Sequence, residues 1–395
     1  MSLAGQGGCR ARALQVSKPE PIGNIWLRFC SFPGVARLAG PVCVGALSVV
    51  SIALEDKEKA GSRDDGEGLY LAWGVLIVAF IILWGALLRG FLPMLDVLSP
   101  LAPHAFAAAV SAAIALMLGR WRPYFLMSAL GLIAIMPSVL SLVALERPDQ
   151  RRQPWHDAVA GARDAIPQMR VLSINTWHHN SDLDGLARYV AGADADVVVL
   201  SEFGPNKQHI LDQLRGAYPY QASCTAVWAC SQALLSRLPF VRAGTRVPTA
   251  NSPPMVWAEF RFGTVDAAKV TVIGTHVYRP SRRHDWHLAQ LAGLAAHVRN
   301  TDGSVILAGD FNMTRMSQSF DDFVYASGLG TPERLLASWP AWPVPLPQLQ
   351  FDYVFVSADL QVLDQRLGHS IGSDHLPLWT SVRLPQRPSV LALKD

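Results

Sequence analysis

Long uncharged stretches dominate the N-terminal part of the chain, whereas short apolar runs separated by polar turns make up the rest. A helix that crosses a bilayer needs about 20 apolar residues, because it rises about 1.5 Å per residue through a core of about 30 Å. Three stretches reach this length: residues 69–88, 97–119 and 123–145. We predict that they form three transmembrane helices.

Residues 1–68 form a separate N-terminal segment before these helices. An apolar run at residues 38–54 is marginal in length and contains Gly40, Pro41 and Gly45, which indicates either a signal-like segment or a poor first helix. The charged run EDKEKAGSRDDGEG at residues 55–68 predicts a solvated linker.

Basic residues beside the predicted helices indicate their orientation, because Lys and Arg concentrate on the cytoplasmic side. One group flanks the first two helices: Lys57, Lys59, Arg63, Arg120 and Arg122. If that side is cytoplasmic, three crossings place the C-terminal part outside. A second group argues the opposite way: Arg147, Arg151 and Arg152. We favour a multi-pass protein of the inner (cell) membrane with an extracytoplasmic C-terminal domain.

From about residue 155 the pattern changes to short β-type runs interleaved with helices. The predicted strands are residues 170–175, 196–202, 232–236, 256–262, 269–276, 304–310, 351–357 and 376–382, and the predicted helices are 183–191 and 281–298. Buried apolar strands interleaved with helices predict a layered α/β domain over residues 155–386.

Several of these strands end or begin at a polar residue that an apolar core does not require. These residues are Asn175, Glu202, His276, Asp310, Asp352 and the pair Asp374-His375. In layered α/β folds the chemistry gathers at strand ends, where the loops are free to carry it. We therefore expect these side chains to meet at one edge.

The stretch Leu307–Thr314 (LAGDFNMT) carries the most specific of these signals. Residues i and i+2 of an extended chain point to the same side, so Asp310 and Asn312 can face one site. A carboxylate and a carboxamide suit a hard cation such as Mg²⁺, or a water molecule oriented for attack. The alternative is a turn in which both side chains cap backbone groups.

Together the strand ends supply four carboxylates, two carboxamides and two imidazoles. This set is typical of metal-assisted phosphoester hydrolysis, in which a hard cation neutralises the phosphate, a base activates water and an imidazole stabilises the developing charge.

The order Asn, Glu, His, Asp-x-Asn, Asp, Asp-His resembles the endonuclease/exonuclease/phosphatase superfamily, which includes DNase I-like nucleases, inositol polyphosphate phosphatases and neutral sphingomyelinases. The matching stretches are LSIN, VVLSE, GTH, AGDFN, FDYVFVS and GSDHLPL, between residues 170 and 384. The resemblance implies a DNase I-like fold: a four-layer sandwich of two β-sheets flanked by helices. Membrane-anchored bacterial members look similar overall.

The resemblance also implies a role for each matching residue. Glu202 is expected to be the principal ligand of Mg²⁺ (or Mn²⁺), supported by Asn175, with Asp374 beside the metal. Asp310 and Asn312 are expected to orient the nucleophilic water and the phosphate, and His276 to contact the scissile phosphate. His375, held by Asp352, is expected to be the general base or a phosphate-stabilising imidazole.

One position departs from the family pattern. Many nucleases of the superfamily have an acidic residue two positions after the first Asn, and Trp177 stands there in this chain. This leaves the arrangement around the metal open and disfavours close kinship with the abasic-site endonucleases.

Charge bears on the substrate. Residues 155–395 contain 20 Lys and Arg against 21 Asp and Glu, so this part has no general positive excess for a nucleic-acid backbone.

Three arginines after His276 (Arg279, Arg282 and Arg283) either hold a second phosphate or form a solvated helix start, and we favour the solvated start. The Pro-rich residues 338–347, with Trp339 and Trp342, form either a lip that contacts an apolar substrate or the bilayer, or a packed structural loop.

Two cysteines, Cys224 and Cys230, lie six positions apart and form a disulfide if the domain is in an oxidising compartment; two free thiols are the alternative.

The sequence hypothesis is a membrane-anchored, Mg²⁺-dependent phosphoester hydrolase that acts on a phospholipid or isoprenoid-phosphate head group. The alternatives are a nuclease acting on DNA or RNA, and a non-catalytic membrane receptor on the same fold. No protein partner follows from the sequence.

Overall fold

The computed structural model describes residues 65–89, 91–118, 168–262, 268–341 and 349–384. The apolar run at 38–54 and the third predicted helix, 123–145, lie outside the described residues.

Two apolar helices precede the layered domain: α1 (Asp65–Leu88) and α2 (Ala102–Leu118), joined by the 3₁₀ segment Pro93–Leu101. Within the described residues, Tyr70–Leu88 and Pro93–Leu116 are long and apolar enough to cross a membrane, with mean hydropathies of 2.6 and 1.5. By length and composition alone, such helices are weak evidence for a membrane protein.

Both helix boundaries differ from the prediction. Helix α1 begins at Asp65, inside the predicted linker and four residues before the predicted start at residue 69. The predicted helix 97–119 is 3₁₀ in its first part, since Pro100 and Pro103 lack the N–H donors of a continuous α-helix. Regular α-helix begins at Ala102, where Pro103 is tolerated in the first turn.

The layered domain contains eleven described strands and four described α-helices. The strands are β1 (Gln168–Asn175), β2 (Val197–Ser201), β3 (Tyr220–Cys224), β4 (Gln232–Ser236), β5 (Arg242–Arg246), β6 (Met255–Phe262), β7 (Ala268–His276), β8 (Ser304–Asp310), β9 (Asp352–Val356), β10 (Gln361–Leu367) and β11 (Leu378–Arg383). The helices are α3 (Leu183–Gly192), α4 (His209–Gln213), α5 (His284–Arg299) and α6 (Gln318–Ser327).

The strands form two mixed sheets, ordered β10-β11-β1-β2-β4-β3 and β5-β6-β7-β8-β9. Apolar side chains of both sheets, such as Val199 and Val272, meet in one core between them. A second core lies between the first sheet and helices α3 and α4, and a third between the second sheet and helices α5 and α6. This arrangement confirms the prediction of two sheets flanked by helices.

Every predicted strand is present with small shifts at its ends, whereas β3, β5, β10, α4 and α6 were not predicted. The three missed strands lie at sheet edges. Edge strands are partly solvated and carry polar residues on both faces, as in RAGTR of β5, so they lack the apolar signal of a buried strand.

The register of the strands brings the polar strand ends together. His276 pairs with Asp310 across the parallel strands β7 and β8, and Asp310 pairs with Asp352 across β8 and β9. In the other sheet, Asn175 pairs with Ser201, which directly precedes Glu202. The predicted site residues therefore occupy one edge of the sandwich.

Gly309 makes this edge possible. It precedes Asp310 with a φ of 146°, a conformation that L side chains rarely adopt, and a Cβ there would collide with the carbonyl oxygen of Thr275. A glycine is required where β7 and β8 approach closely.

A buried carboxylate joins the apolar hairpin to the layered domain. Asp96, 5% exposed, accepts hydrogen bonds from the backbone N–H groups of Gln318 (2.7 Å) and Ser319 (3.1 Å) and from the Ser319 hydroxyl (3.0 Å). These are the first residues of α6, so Asp96 caps this helix from a distant part of the chain.

Replacing Asp96 by alanine is expected to lower the thermal stability of the full chain in detergent. The change removes a cap of about 0.5–2 kcal/mol and leaves buried donors unpaired. Asp322→Ala is the matched control, since exposed Asp322 accepts from the Gln318 side chain and from no other group in the part of the chain that the structure describes. Equal melting temperatures of the two variants would show that the contact does not stabilise the chain.

Candidate active site

Glu202 lies at the centre of the site. One carboxylate oxygen accepts hydrogen bonds from the backbone N–H of His178 (2.9 Å) and contacts its ring Nδ1 (2.7 Å). The other accepts from Arg279 (3.3 Å) and Asn175 (3.4 Å). The side chain is buried, so these donors replace the water that a carboxylate would otherwise hold.

The backbone around Glu202 adopts a conformation that most residues avoid. Trp177, Glu202 and Asn312 have φ values of 51°, 53° and 48°. Left-handed conformations cost L residues roughly 1–2 kcal/mol each and concentrate at functional sites. Three of them around one cluster indicate that the surrounding structure holds these residues in place.

Lys207 provides part of that support. Its fully buried ammonium donates hydrogen bonds to the carbonyl oxygens of Trp177 (2.7 Å) and Glu202 (3.0 Å). Burial lowers the pKa of Lys207 to about 8, although Glu202 acts in the opposite direction. Lys207 thus ties together two of the left-handed residues.

Lys207→Met is expected to weaken the binding of a metal ion at Glu202 and to lower the melting temperature. It leaves two buried carbonyl groups without a donor, at about 1–3 kcal/mol each. Titration calorimetry with Mg²⁺ measures the first effect. In the control Lys269→Met, which removes only the ion pair with Glu259, Mg²⁺ affinity is expected to stay unchanged. Wild-type Mg²⁺ affinity in Lys207→Met would contradict this positioning role.

Asp310 and Asn312 form both the turn and the polar site that the sequence offered as alternatives. Oδ1 of Asp310 accepts the backbone N–H of Asn312 at 2.8 Å, which is the predicted Asx turn. Oδ2 accepts from the amide of Asn175 at 2.9 Å and faces the site. The Asn312 amide lies 3.2 Å from Nε2 of His276. The turn itself aims these side chains at the site.

His375 and Asp352 form a buried pair, with Nδ1 2.7 Å from Oδ2. The hydroxyl of Ser338 donates to the same oxygen at 2.6 Å, and Nε2 of His375 points to Oδ2 of Asp310 at 3.8 Å. One ring nitrogen is therefore fixed by a carboxylate while the other faces the cluster.

Asp374 lies beside this pair. Oδ2 accepts from the indole N–H of Trp339 at 3.3 Å, and Oδ1 is buried without a hydrogen-bond partner among the described residues. Trp339, from the predicted lip, is therefore at the site, whereas Trp342 lies outside the described residues.

Burial and neighbouring charges shift the pKa values of the acidic groups and of His375 in different directions. Burial would raise the pKa of Glu202, but His276, His178 and Arg279 hold it well below its usual range. Burial raises the pKa of Asp310 and of Asp374. Burial lowers the pKa of His375, but Asp352 outweighs this effect and raises it to about 10. At neutral pH His375 therefore carries a proton beside several buried acids.

These residues fit a divalent cation. Glu202, His276 and Asp310 each offer a ligand atom, and these atoms lie within 4.8 Å of one another. Buried carboxylates call for a compensating cation, and among the described residues the Oδ1 atoms of Asp352 and Asp374 are buried without a hydrogen-bond partner. The carboxylate oxygens among these ligand atoms suit Mg²⁺ or Mn²⁺.

All eight residues predicted from the sequence lie in or against this cluster. Sequence reasoning assigned His276 to the phosphate, whereas the structure also places it among the atoms that can hold a metal. It missed His178 and Lys207, and it favoured a solvated position for Arg279. A local signal existed for His178 and Arg279, since both follow a site residue by three positions. None existed for Lys207.

Cys224 and Cys230 are joined by a disulfide, which decides between the two sequence alternatives in favour of the bonded pair. It closes the turn between β3 and β4. Ser231 follows this turn, and its carbonyl accepts the N–H of Phe203 beside Glu202 at 2.9 Å.

The model of the Endonuclease/Exonuclease/phosphatase family matches residues 172–375, about half of the chain. The chain belongs to this family. Its members are phosphoester hydrolases, so the chain is an enzyme of that class, and enzymes of the family depend on a divalent metal ion. The match begins in β1 and ends at His375, and therefore includes the whole candidate site.

Solved structures give similar folds at low identity. Sphingomyelinase C from Streptomyces griseocarneus is 21% identical (TM-score 0.43; 55% of this chain and 99% of that chain covered). Humanized D. rerio TDP2 is 17% identical (TM-score 0.44; 55% and 99%). A mutant beta toxin from Staphylococcus aureus with bound magnesium ions is 18% identical (TM-score 0.41; 56% and 100%). A search among curated proteins finds no match to the chain.

Proposed function

We propose that this Endonuclease/Exonuclease/phosphatase family member is a membrane-anchored, Mg²⁺- or Mn²⁺-dependent hydrolase of a lipid-linked phosphoester. The observation that carries the chemistry is the single cluster formed by Glu202, His276 and Asp310 with the His375–Asp352 pair. A bound cation would neutralise the phosphate and stabilise the leaving oxygen.

Each residue of the cluster has a proposed role in binding the cation, activating water or binding the phosphate. Glu202 and Asp310 would hold the cation, with Asn175 donating to both carboxylates. Asp310, whose Oδ2 faces the site, would also accept a proton from the attacking water. His375 is suited to donate a hydrogen bond to the phosphate rather than to act as the base, because Asp352 keeps it protonated. Asn312 and Arg279 would orient phosphate oxygens.

The position of the hairpin supports a substrate in the membrane. Helices α5 and α6 begin eight residues after His276 and Asp310, and Asp96 contacts the first residues of α6. The end of the hairpin and the candidate site therefore lie at the same end of the sandwich. Most exposed large hydrophobic side chains of the described residues also belong to positions 70–101. Charge offers no comparable support for nucleic acid.

The test compares four substrates with the purified full chain in detergent and Mg²⁺: bis-p-nitrophenyl phosphate, a short-chain polyprenyl pyrophosphate, a short-chain phospholipid and plasmid DNA. Hydrolysis of a lipid substrate with DNA untouched supports the proposal. DNA nicking that Glu202→Gln abolishes would assign a nuclease. A folded chain that binds Mg²⁺ but hydrolyses none of them would refute this substrate class, and absence of Mg²⁺ binding would favour a receptor.

We further propose that the enzyme domain is extracytoplasmic in a multi-pass protein. Asp96 places the connector between α1 and α2 beside the enzyme domain, so the far end of α2 would lie across the membrane, next to Arg120 and Arg122 in the sequence. The uncharged residues 123–145 would supply the returning crossing. The disulfide is consistent with an oxidising compartment.

An impermeant maleimide tests this orientation on spheroplasts. Tyr325 is 93% exposed, so Tyr325→Cys is expected to be labelled above the background of the unmodified chain. Labelling only after lysis would place the domain in the cytoplasm.

A further inference from the structure

A cavity of about 440 Å³ lies where the apolar hairpin meets the layered domain, apart from the candidate active site. Arg89 and Asp96 line it from the hairpin, and α5 and α6 contribute His284, Gln318, Ser319 and Asp322. Residues from two separate parts of the chain thus form a chamber with polar and apolar walls, since Pro93 and Leu288 also line it, at the end of an apolar helix.

Within the described residues, Arg89 and His284 are not hydrogen-bonded to a carboxylate. Arg89 makes one polar contact within the described residues, a hydrogen bond of 3.3 Å to the hydroxyl of Ser99, and no ion pair. Both ring nitrogens of His284 are buried, and neither has a hydrogen-bond partner in the described part of the chain. A buried ring N–H without an acceptor is costly, so His284 favours an acceptor in the cavity, and the half-buried Arg89 guanidinium has further N–H groups to offer it.

The carboxylates, by contrast, already have donors. Asp96 accepts from Ser99, from the two backbone N–H groups that begin α6 and from the Ser319 hydroxyl. Asp322 accepts from the Gln318 amide at 2.9 Å. Arg89 and His284 are therefore the polar groups of the cavity left to bind a further acceptor, and a phosphate accepts several hydrogen bonds at once.

The surroundings indicate where such a phosphate comes from. Arg89 directly follows the apolar helix α1, and Leu88, Phe91, Leu92 and Met94 beside it are exposed. A basic residue at the end of a membrane helix lies at head-group depth, and apolar side chains next to it can contact acyl chains.

We propose that this cavity binds a phosphate group through Arg89 and His284, supplied by the head group of a membrane phospholipid. The bound lipid would bridge the hairpin and α5, and so hold the enzyme domain against the bilayer. This site is separate from the catalytic cluster and does not depend on the proposed hydrolysis.

The test is calorimetric titration of the full chain, in dodecyl maltoside with EDTA, using dihexanoyl phosphatidylglycerol. Arg89→Gln is expected to weaken binding at least about tenfold, the effect of losing one charge-assisted hydrogen bond. Arg89→Lys, which keeps the charge, is expected to retain most of the affinity, and His284→Gln to lose part of it. Arg334→Gln is the matched control, because Arg334 is exposed and lies outside both the cavity and the candidate active site.

Two further probes identify the source of the phosphate. Phosphatidylglycerol binding much tighter than inorganic phosphate indicates a lipid site, whereas equal affinities, both lost in Arg89→Gln, indicate a site for the free anion and overturn the lipid source. Dihexanoylglycerol, which has no phosphate, should not bind. The proposal is overturned if Arg89→Gln, with a wild-type melting temperature, binds like the wild type, or if Arg334→Gln weakens binding as much as Arg89→Gln does.

Discussion

Replacing His375 by alanine is expected to lower kcat by about 10²–10⁴-fold, the range for the loss of a positioned proton donor or charge-stabilising group. The imidazole is buried, its Nδ1 lies 2.7 Å from Asp352, and its Nε2 faces Asp310. Because the Asp352 carboxylate raises the pKa of His375 to about 10, the ring is charged at neutral pH and stabilises negative charge on the phosphate.

Asp352→Asn is expected to reproduce much of this loss. The amide keeps the shape but no longer holds the imidazolium charge, so the proton on His375 is lost at a lower pH. The rate of the variant is therefore expected to fall as pH rises through a range in which the wild type is constant. His369→Ala, at an exposed histidine, is the control and should retain activity. A His375→Ala enzyme with wild-type kcat would remove this residue from the mechanism.

Glu202→Gln is expected to abolish measurable Mg²⁺ binding and to reduce kcat/KM by about 10³-fold or more, since a metal ion supplies several kcal/mol of charge stabilisation. The amide has nearly the shape of the carboxylate but loses its charge. One carboxylate oxygen accepts from His178 and the other from Arg279 and Asn175, and the substitution turns one of these two acceptors into an NH₂ donor. Mg²⁺ titration and hydrolysis of bis-p-nitrophenyl phosphate measure the two effects on the same sample.

The control for Glu202→Gln is Glu333→Gln, at an exposed position outside the cluster. It should leave both quantities unchanged. Because the depressed pKa of Glu202 means that its ionised form stabilises the folded chain, Glu202→Gln is expected to lower the melting temperature, and circular dichroism verifies that the variant is folded at the assay temperature. If Glu202→Gln bound Mg²⁺ normally, the ion would lie elsewhere.

The site was readable from the sequence because most of its residues stand at ends of buried strands. The run VILAGD of β8 is apolar and ends in Asp310, and the parallel register with β7 then fixes His276 beside it. Alternation and strand burial therefore indicate these candidate ligand residues from the sequence alone. The family pattern added the pairing of His375 with Asp352, which no local rule gives.

What the sequence did not predict depends on tertiary contacts. A lysine is almost always exposed, so the burial of Lys207 against two carbonyl groups has no sequence signal. Asp96 reads as a charge between apolar helices, and its role as the cap of α6 depends on residues more than 200 positions away. The edge strands β5 and β10 were missed because their solvated faces carry no apolar period.

The most direct test of the central claim is hydrolysis of bis-p-nitrophenyl phosphate by the purified full chain before chelation, after chelation with EDTA and after Mg²⁺ is returned. The cluster of Glu202, His276 and Asp310 predicts activity that disappears with EDTA, returns with Mg²⁺ and does not return in Glu202→Gln. Hydrolysis that persists in EDTA and in Glu202→Gln would contradict a metal-dependent mechanism at this site.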